Sequence, residues 1–373
     1  MLDKLPNELL LLIIRLALPS RDTLSPKAAG RRQALLMSLS RINKRLCSLA
    51  RPHLLQSILV GTPRQARLIS TLPKTLREQV ETVVFSTDTT PIGGLNPYAA
   101  RAMPVALSGY QALDALAALT NVKHARFYDF GDFVTEGITF FGNQVDFDLS
   151  AKSPLSRLDS LYFSNCSFFF INRGEAPVFR LVRLAFVGRI LIKGDGLAAL
   201  LTPEALPRLQ SLRLTRFQDH RERGWDGTLG ADLRRLPKLV SHTIVVQVDA
   251  SCESDYLPSN TADRCRLLYH LGYSSPHTRP FGGAHSSTQF IRLDAVSLDD
   301  ASYLLDRISE LHDLRAAFID RAIHPDTIKP EKRGAAFALL YTVKQTPAEI
   351  IWTGSDDHAF LLPEFERYMR ERQ

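Results

Sequence analysis

Aromatic residues are missing from the first sixty positions. Residues 1–60 contain no Phe, Tyr or Trp, although the 373-residue chain holds 20 Phe, 10 Tyr and 2 Trp. Single-stranded nucleic acids are held largely by bases stacking on aromatic side chains, so this segment lacks the usual platform and nucleic acid is not an expected partner. Cysteine is also sparse: Cys47, Cys166, Cys252 and Cys265 are the only four, at irregular spacing. That excludes a disulfide scaffold and suits a reducing compartment, so the protein is expected in the cytoplasm or nucleus. Cys252, Cys265, His270, His277 and His285 form no C-x-x-C or H-x-x-x-H pair, and no metal or other cofactor is expected. Long apolar runs are missing as well. The run Leu9 to Ile14 is six residues between Glu8 and Arg15, too short for a membrane span or a signal peptide. No G-x-S-x-G elbow occurs and no cysteine has an evident histidine partner in sequence, so an enzyme is not expected.

Charge is present but unevenly placed. The chain nets +7. Residues 1–60 hold ten Lys or Arg and three acids, whereas residues 61–373 hold 36 basic and 36 acidic side chains. The basic character therefore belongs to one small module, and the remainder offers no chain-wide surface for tracking phosphates.

That module reads as helical. Leu5, Leu9, Leu12, Ile13 and Leu16 form an amphipathic stripe over a helix of about residues 7–18, with Pro6 at its start and Pro19 after it. Residues 20–31 read as a polar loop. Leu35, Leu39, Ile42, Leu46 and Leu49 mark a second helix over about residues 31–50, ended by Pro52, and residues 53–60 read as a further short helix or turn. Helices this short are marginal alone, so the apolar face calls for a partner.

The ordered set Leu5-Pro6-x-Glu8-Leu9, Ile13, Leu16, Leu35, Leu39, Lys44-Arg45-Leu46 and Pro52-x-Leu54-Leu55 resembles an F-box, over roughly 50 of the 373 residues. No Trp stands near position 45, and the 19–33 linker is longer than is usual in that family. The resemblance implies docking on a Skp-type adaptor, and through it a cullin, by Leu2, Leu5, Pro6, Glu8, Leu9, Ile13, Leu35, Leu39 and Leu46. It also implies that the rest of the chain presents a protein target.

Past residue 60 a helical stretch (64–76) precedes a strand candidate (80–85) and a Pro/Gly-rich loop (86–104). A pattern then recurs. Leu158-x-x-Leu161-x-Phe163-x-x-Cys166 fits the leucine-rich-repeat template, Leu209-x-x-Leu212-x-Leu214 follows it, and Leu181-x-x-Leu184-x-Phe186 lies between. Weaker copies start at Val80, Val122, Leu239, Phe290 and Leu311, with Cys265 and Pro347 poorer still. Helix-like stretches intervene at 111–119, 195–206, 299–309 and 331–342. Residues 249–262 and 272–288 read as insertions, and a strand (349–352) and charged helix (362–372) close the chain. The expected fold is α/β: all-α F-box helices (1–60), then an irregular leucine-rich-repeat solenoid (61–373) serving target recognition.

In such a repeat the residues flanking the inner leucines face the concave side. That nominates Ser160, Tyr162, Ser164, Arg183, Ala185, Ser211, Arg213 and Thr215 as target-binding candidates. Trp225 joins them from the mixed-charge loop 219–227, since Trp and Arg together are favoured in binding hot spots. One competing motif needs a separate reading. Gly194-Asp195-Gly196-Leu197-Ala198-Ala199 follows an apolar run and fits a dinucleotide fingerprint, but it lies mid-chain between two repeat strands and no acid closes the following strand, so it reads as a tight turn with Asp195 capping the next helix. The expected function is a substrate-recognition adaptor of a Skp–cullin–F-box ubiquitin ligase. A non-ligase repeat scaffold is the main alternative, ahead of a nucleic-acid-binding protein or a dinucleotide-dependent enzyme.

Overall fold

The computed structural model describes residues 5–19, 25–87, 107–130, 134–135, 138–139, 145–148, 153–171, 178–187, 191–193, 200, 202, 204–215, 245–249, 266–271, 289–293, 298, 305, 308–309, 311–354 and 362–372. The fold is mixed α/β with parallel sheets. Two compact units are distinguished. The first comprises Met1–Glu175 with Phe179–Leu181 and Leu191–Gly194; the second comprises Ala176–Val178, Val182–Ile190 and Asp195–Gln373.

The first unit opens with α1 (Asn7–Ala17), α2 (Pro26–Ile42) and α3 (Lys44–Gln56). Ser25 caps α2 by accepting from the Ala28 amide, so that helix starts inside the expected polar loop. The single helix expected over residues 31–50 is two. Asn43 is extended and its carboxamide oxygen accepts from the Leu46 amide at 2.8 Å, closing one helix and capping the next. Pro52 lies within α3 rather than ending it. Next come β1 (Ser57–Val60), α4 (Pro63–Thr71), α5 (Lys74–Arg77), β2 (Thr82–Ser86), α6 (Gly109–Ala118) and β3 (His124–Tyr128). Both α4 and α6 begin with reciprocal capping boxes, Thr62 with Gln65 and Ser108 with Gln111. The hairpin strands β4 (Val134–Thr135) and β5 (Ile138–Thr139) precede β6 (Val145–Asp148), β7 (Ser160–Ser164) and β8 (Ser167–Ile171).

Strands β1, β2, β3 and β7 pair in parallel and in chain order. A second parallel sheet places β8 between β6 and β10 (Leu191–Lys193). Parallel sheets are ordinarily covered on both faces, and here all five residues of β2 and of β7 are buried. On one face Phe127 stacks between Phe85 and Phe163, with centroids 5.1 and 5.3 Å away. One residue past β3 and β7, Asp129 and Asn165 adopt φ of 60° and 52°, and the Asn165 amide donates to the Asp129 carboxylate at 3.1 Å. Short polar side chains tolerate this left-handed conformation best.

Cys166, one residue further, is buried, and its thiol donates to the carbonyl oxygens of Phe127 and Ser164. Burial pushes this thiol up to about 12. At pH 8 only about one molecule in ten thousand carries the thiolate, the reactive form. Iodoacetamide is therefore expected to label Cys166 only after denaturation, read by peptide mass spectrometry. The sign for stability follows: the folded state retains a proton that the unfolded thiol releases near its ordinary pKa. The thiol's contribution is full below that value and is lost as pH rises toward 12.

The second unit carries β9 (Arg183–Val187), β11 (Ser211–Thr215), β12 (Val245–Asp249), β13 (Arg266–Leu271), β14 (Phe290–Leu293), β15 (Ala316–Asp320) and β16 (Glu349–Thr353). They too are parallel and adjacent in chain order. Helix α7 (Arg333–Gln345) joins β15 to β16, and α8 (Pro363–Glu371) follows β16. On α8, Phe365, Tyr368 and Met369 pack with Leu362 onto Phe290, Ala316 and Phe318, with Ile351 alongside. Among the described residues no helix is long and apolar enough to cross a membrane.

Candidate functional site

Helix α1 is apolar on two faces. Leu10, Ile14 and Leu18, spaced by four, are buried, and Ile14 and Leu18 pack with Leu36 and Ala50 from α2 and α3. Leu9, Leu12, Ile13 and Leu16 point the other way, with exposures of 46, 51, 46 and 78%. The stripe read from sequence is therefore the outward one, and the face that packs inward is one residue out of phase with it. A helix apolar all round is normally buried all round. Met37 and Ile42 on α2 add further exposed apolar side chains.

The segment leading into α1 is tied to α3. Arg45 Nη2 donates to the Leu5 carbonyl oxygen at 2.5 Å and Arg45 Nε to Asn7 Oδ1 at 2.7 Å. At the other end Arg32, a buried side chain on α2, donates through Nη1 to the Pro19 carbonyl oxygen at 3.0 Å. Both ends of α1 are thus anchored by arginines from other helices, which offsets a start where Pro6 supplies no side-chain cap. The module's positive charge is partly structural for that reason. Arg45→Ala is expected to loosen the Leu5–Asn7 entry: amide hydrogen exchange at residues 7–10 should quicken, while residues 44–56 keep their protection.

Each docking residue named from the sequence now has a position. Leu5 is half-buried; Pro6 and Glu8 are exposed at the start of α1; Leu9 and Ile13 are on the outward face. Leu35 and Leu39 are half-buried against the Ile14–Leu36 cluster. Leu46 is buried at 6% exposure, so it belongs to the module's interior rather than to its surface. The break at Asn43 changes the helical phase between Leu39 and Leu46 and explains the difference. Leu12 and Leu16, which belong to the stripe expected from the sequence but not to the docking set, are the most exposed large apolar side chains of α1. Leu2 lies outside the described residues.

The target-binding candidates fall differently. Ser160, Tyr162 and Ser164 on β7 are buried, as are Ala185 on β9 and Ser211 and Arg213 on β11. They do not form the open face expected from the repeat pattern, because both faces of these strands are covered. Ser160 Oγ is 2.6 Å from His124 Nδ1, the Arg126 guanidinium lies 4.8 Å over the Tyr162 ring, and Arg126 Nη1 donates to Tyr128 Oη at 3.4 Å. Burial raises the Tyr128 phenol, opposed by the adjacent Arg126. Ser211 Oγ is buried without a hydrogen-bond partner among the described residues, and Arg183 is half-buried. Thr215 ends β11. Trp225 and the glycines Gly194 and Gly196 lie outside the described residues.

Among the described residues no group of His, Cys, Asp and Glu could hold a metal ion. Comparison with known proteins finds no family model that matches the chain and no curated protein similar to it.

Proposed function

We propose that this chain is the substrate-recognition adaptor of a Skp–cullin–F-box ubiquitin ligase. Residues 1–60 would dock on the Skp-type adaptor, and residues 61–373, a leucine-rich-repeat-like domain, would present a protein target in the cytoplasm or nucleus. The observation that carries the reading is the outward apolar face of α1. Leu9, Leu12, Ile13 and Leu16 stand in water on a helix whose opposite face already packs on its neighbours. Covering the exposed part of each is worth roughly 1 kcal/mol, more where a central anchor enters a pocket. The surrounding positive charge suits an acidic partner surface and would chiefly speed association.

Two features support the repeat reading of the remainder. Parallel strands succeed one another in chain order, as stacked repeat units do. The Cys166 thiol, at the N/C position of the repeat template, donates to the Phe127 carbonyl on the neighbouring strand β3, as a link between successive repeats would.

Affinity purification of the full chain with identification of its partners tests the reading. A Skp-type adaptor and a cullin should be recovered together. Protein partners without either would turn the assignment to a non-ligase scaffold.

A further inference from the structure

A second surface stands apart from the α1 face. Helix α7 buries Ala336, Leu339 and Val343. Its outer face shows Phe337 and Tyr341 at 58 and 67% exposure, with Arg333 and Lys344 exposed at either end. Positions 333, 337, 341 and 344 follow helical spacing, so these four side chains share one stripe. Among the described residues nothing lies within 4 Å of where a Cβ on Gly334, one turn before Phe337, would stand. From Lys329 to Lys344 there are four basic residues (Lys329, Lys332, Arg333, Lys344) and one acid, Glu331. Among the described residues Lys329, Arg333 and Lys344 have no ion-pair partner.

Exposed Leu or Val singly is ordinary on a protein surface, but two large aromatic rings one turn apart, flanked by unpaired cations, have the composition of a binding hot spot. We propose that the outward face of α7 docks an acidic protein segment carrying a bulky apolar side chain. The side chain would lie against Phe337 and Tyr341, and the acids would meet Arg333, Lys344 and Lys329. Charge complementarity selects this occupant over a second apolar surface. The patch is one helix of 13 residues, about 20 Å long. Residues 61–373 carry equal numbers of basic and acidic side chains, so their net charge gives no general attraction for the phosphates of a nucleic acid. The inference does not depend on the ligase reading, because it uses neither α1 nor its partner.

Fluorescence anisotropy on the full chain tests it. The probe is a labelled dodecapeptide of Glu and Asp around a central Phe-Leu pair; the same peptide with Lys for every acid and a single-stranded oligonucleotide are the competitors. The acidic peptide should bind. Phe337→Ser with Tyr341→Ser, and separately Arg333→Glu with Lys344→Glu, should each weaken binding by about tenfold or more. Replacing Leu9, Leu12 and Leu16 by serine should leave it unchanged, which separates this surface from the α1 face. All substituted side chains are exposed, so thermal melts should match the parent; if one pair melts early, the other pair carries the test. Equal binding by the well-folded α7 variants, loss in the α1 variant, or displacement by the oligonucleotide or the Lys peptide at lower concentration than by unlabelled acidic peptide would overturn the proposal.

Discussion

Replacing Leu9, Leu12 and Leu16 together with serine is expected to abolish recovery of a Skp-type adaptor with the chain and to leave the melting temperature almost unchanged. The two halves of this result have separate causes. In the free protein the three side chains are 46, 51 and 78% exposed, and substitutions at such surface positions usually change stability by no more than about 0.5 kcal/mol. In a complex the same side chains would be the desolvated centre. Truncating a central anchor typically costs about 2 kcal/mol or more, so three together should weaken binding by roughly a thousandfold or more. Leu10→Ser and Ile14→Ser give the opposite pattern. Both side chains are buried, so these changes should lower the melting temperature first and binding only as a consequence. Melts and co-purification run on the two sets of variants check the division of α1 into a packing face and a docking face.

Phe127→Ala should be among the most destabilising single changes in the first unit. The ring is fully buried. It stacks on Phe85 at an interplanar angle of 25° and on Phe163 at 21°, and meets Phe130 edge-on at 5.8 Å. Removing it forfeits the transfer energy of the ring, leaves a cavity between strands β2, β3 and β7, and breaks three aromatic contacts. Phe→Ala substitutions in cores cost about 3–5 kcal/mol, a large part of the roughly 5–15 kcal/mol available to a domain. With a urea m-value of about 2 kcal/mol/M, the unfolding midpoint of this unit should fall by roughly 1.5–2.5 M. Phe127→Leu, which keeps most of the volume, should recover more than half of that loss. A midpoint shift below about 0.5 M for the alanine variant would mean that the ring stack does not hold the strands together.

Much of the strand pattern was legible in the sequence, and for a physical reason. In the template L-x-x-L-x-L the last two apolar residues must face the interior of a strand, so the strand begins two residues after the first leucine. This holds for Val80, Val122, Leu158, Leu181, Leu209 and Pro347, whose strands begin at residues 82, 124, 160, 183, 211 and 349. It fails at Leu239, Cys265, Phe290 and Leu311, whose strands begin at residues 245, 266, 290 and 316; at the last of these the strand is in step with Leu314 instead. The expected solvent-facing side chains were the less legible part. Ser160, Ser164, Ser211 and Arg213 are polar, and polarity at alternate strand positions reads as an open face; in the folded chain these groups are buried. Sequence periodicity reports which residues share a face but not what later covers it. The helical module shows the same limit in another form. The outward stripe of α1 could be read because it is regular, whereas Leu10, Ile14 and Leu18 were masked by continuous leucine around them. The Asn43 break depended on a single side-chain cap within an otherwise helical run.

The most direct measurement is an isothermal titration of the purified full chain with a purified Skp-type adaptor, using whole protein because β1 and α3 pack with the strands that follow. The ligase account expects a one-to-one complex with a negative heat-capacity change, the mark of buried apolar surface. It also expects that binding to be lost in the Leu9, Leu12 and Leu16 serine variant. No complex with the parent chain, or equal heats for parent and variant, would contradict it.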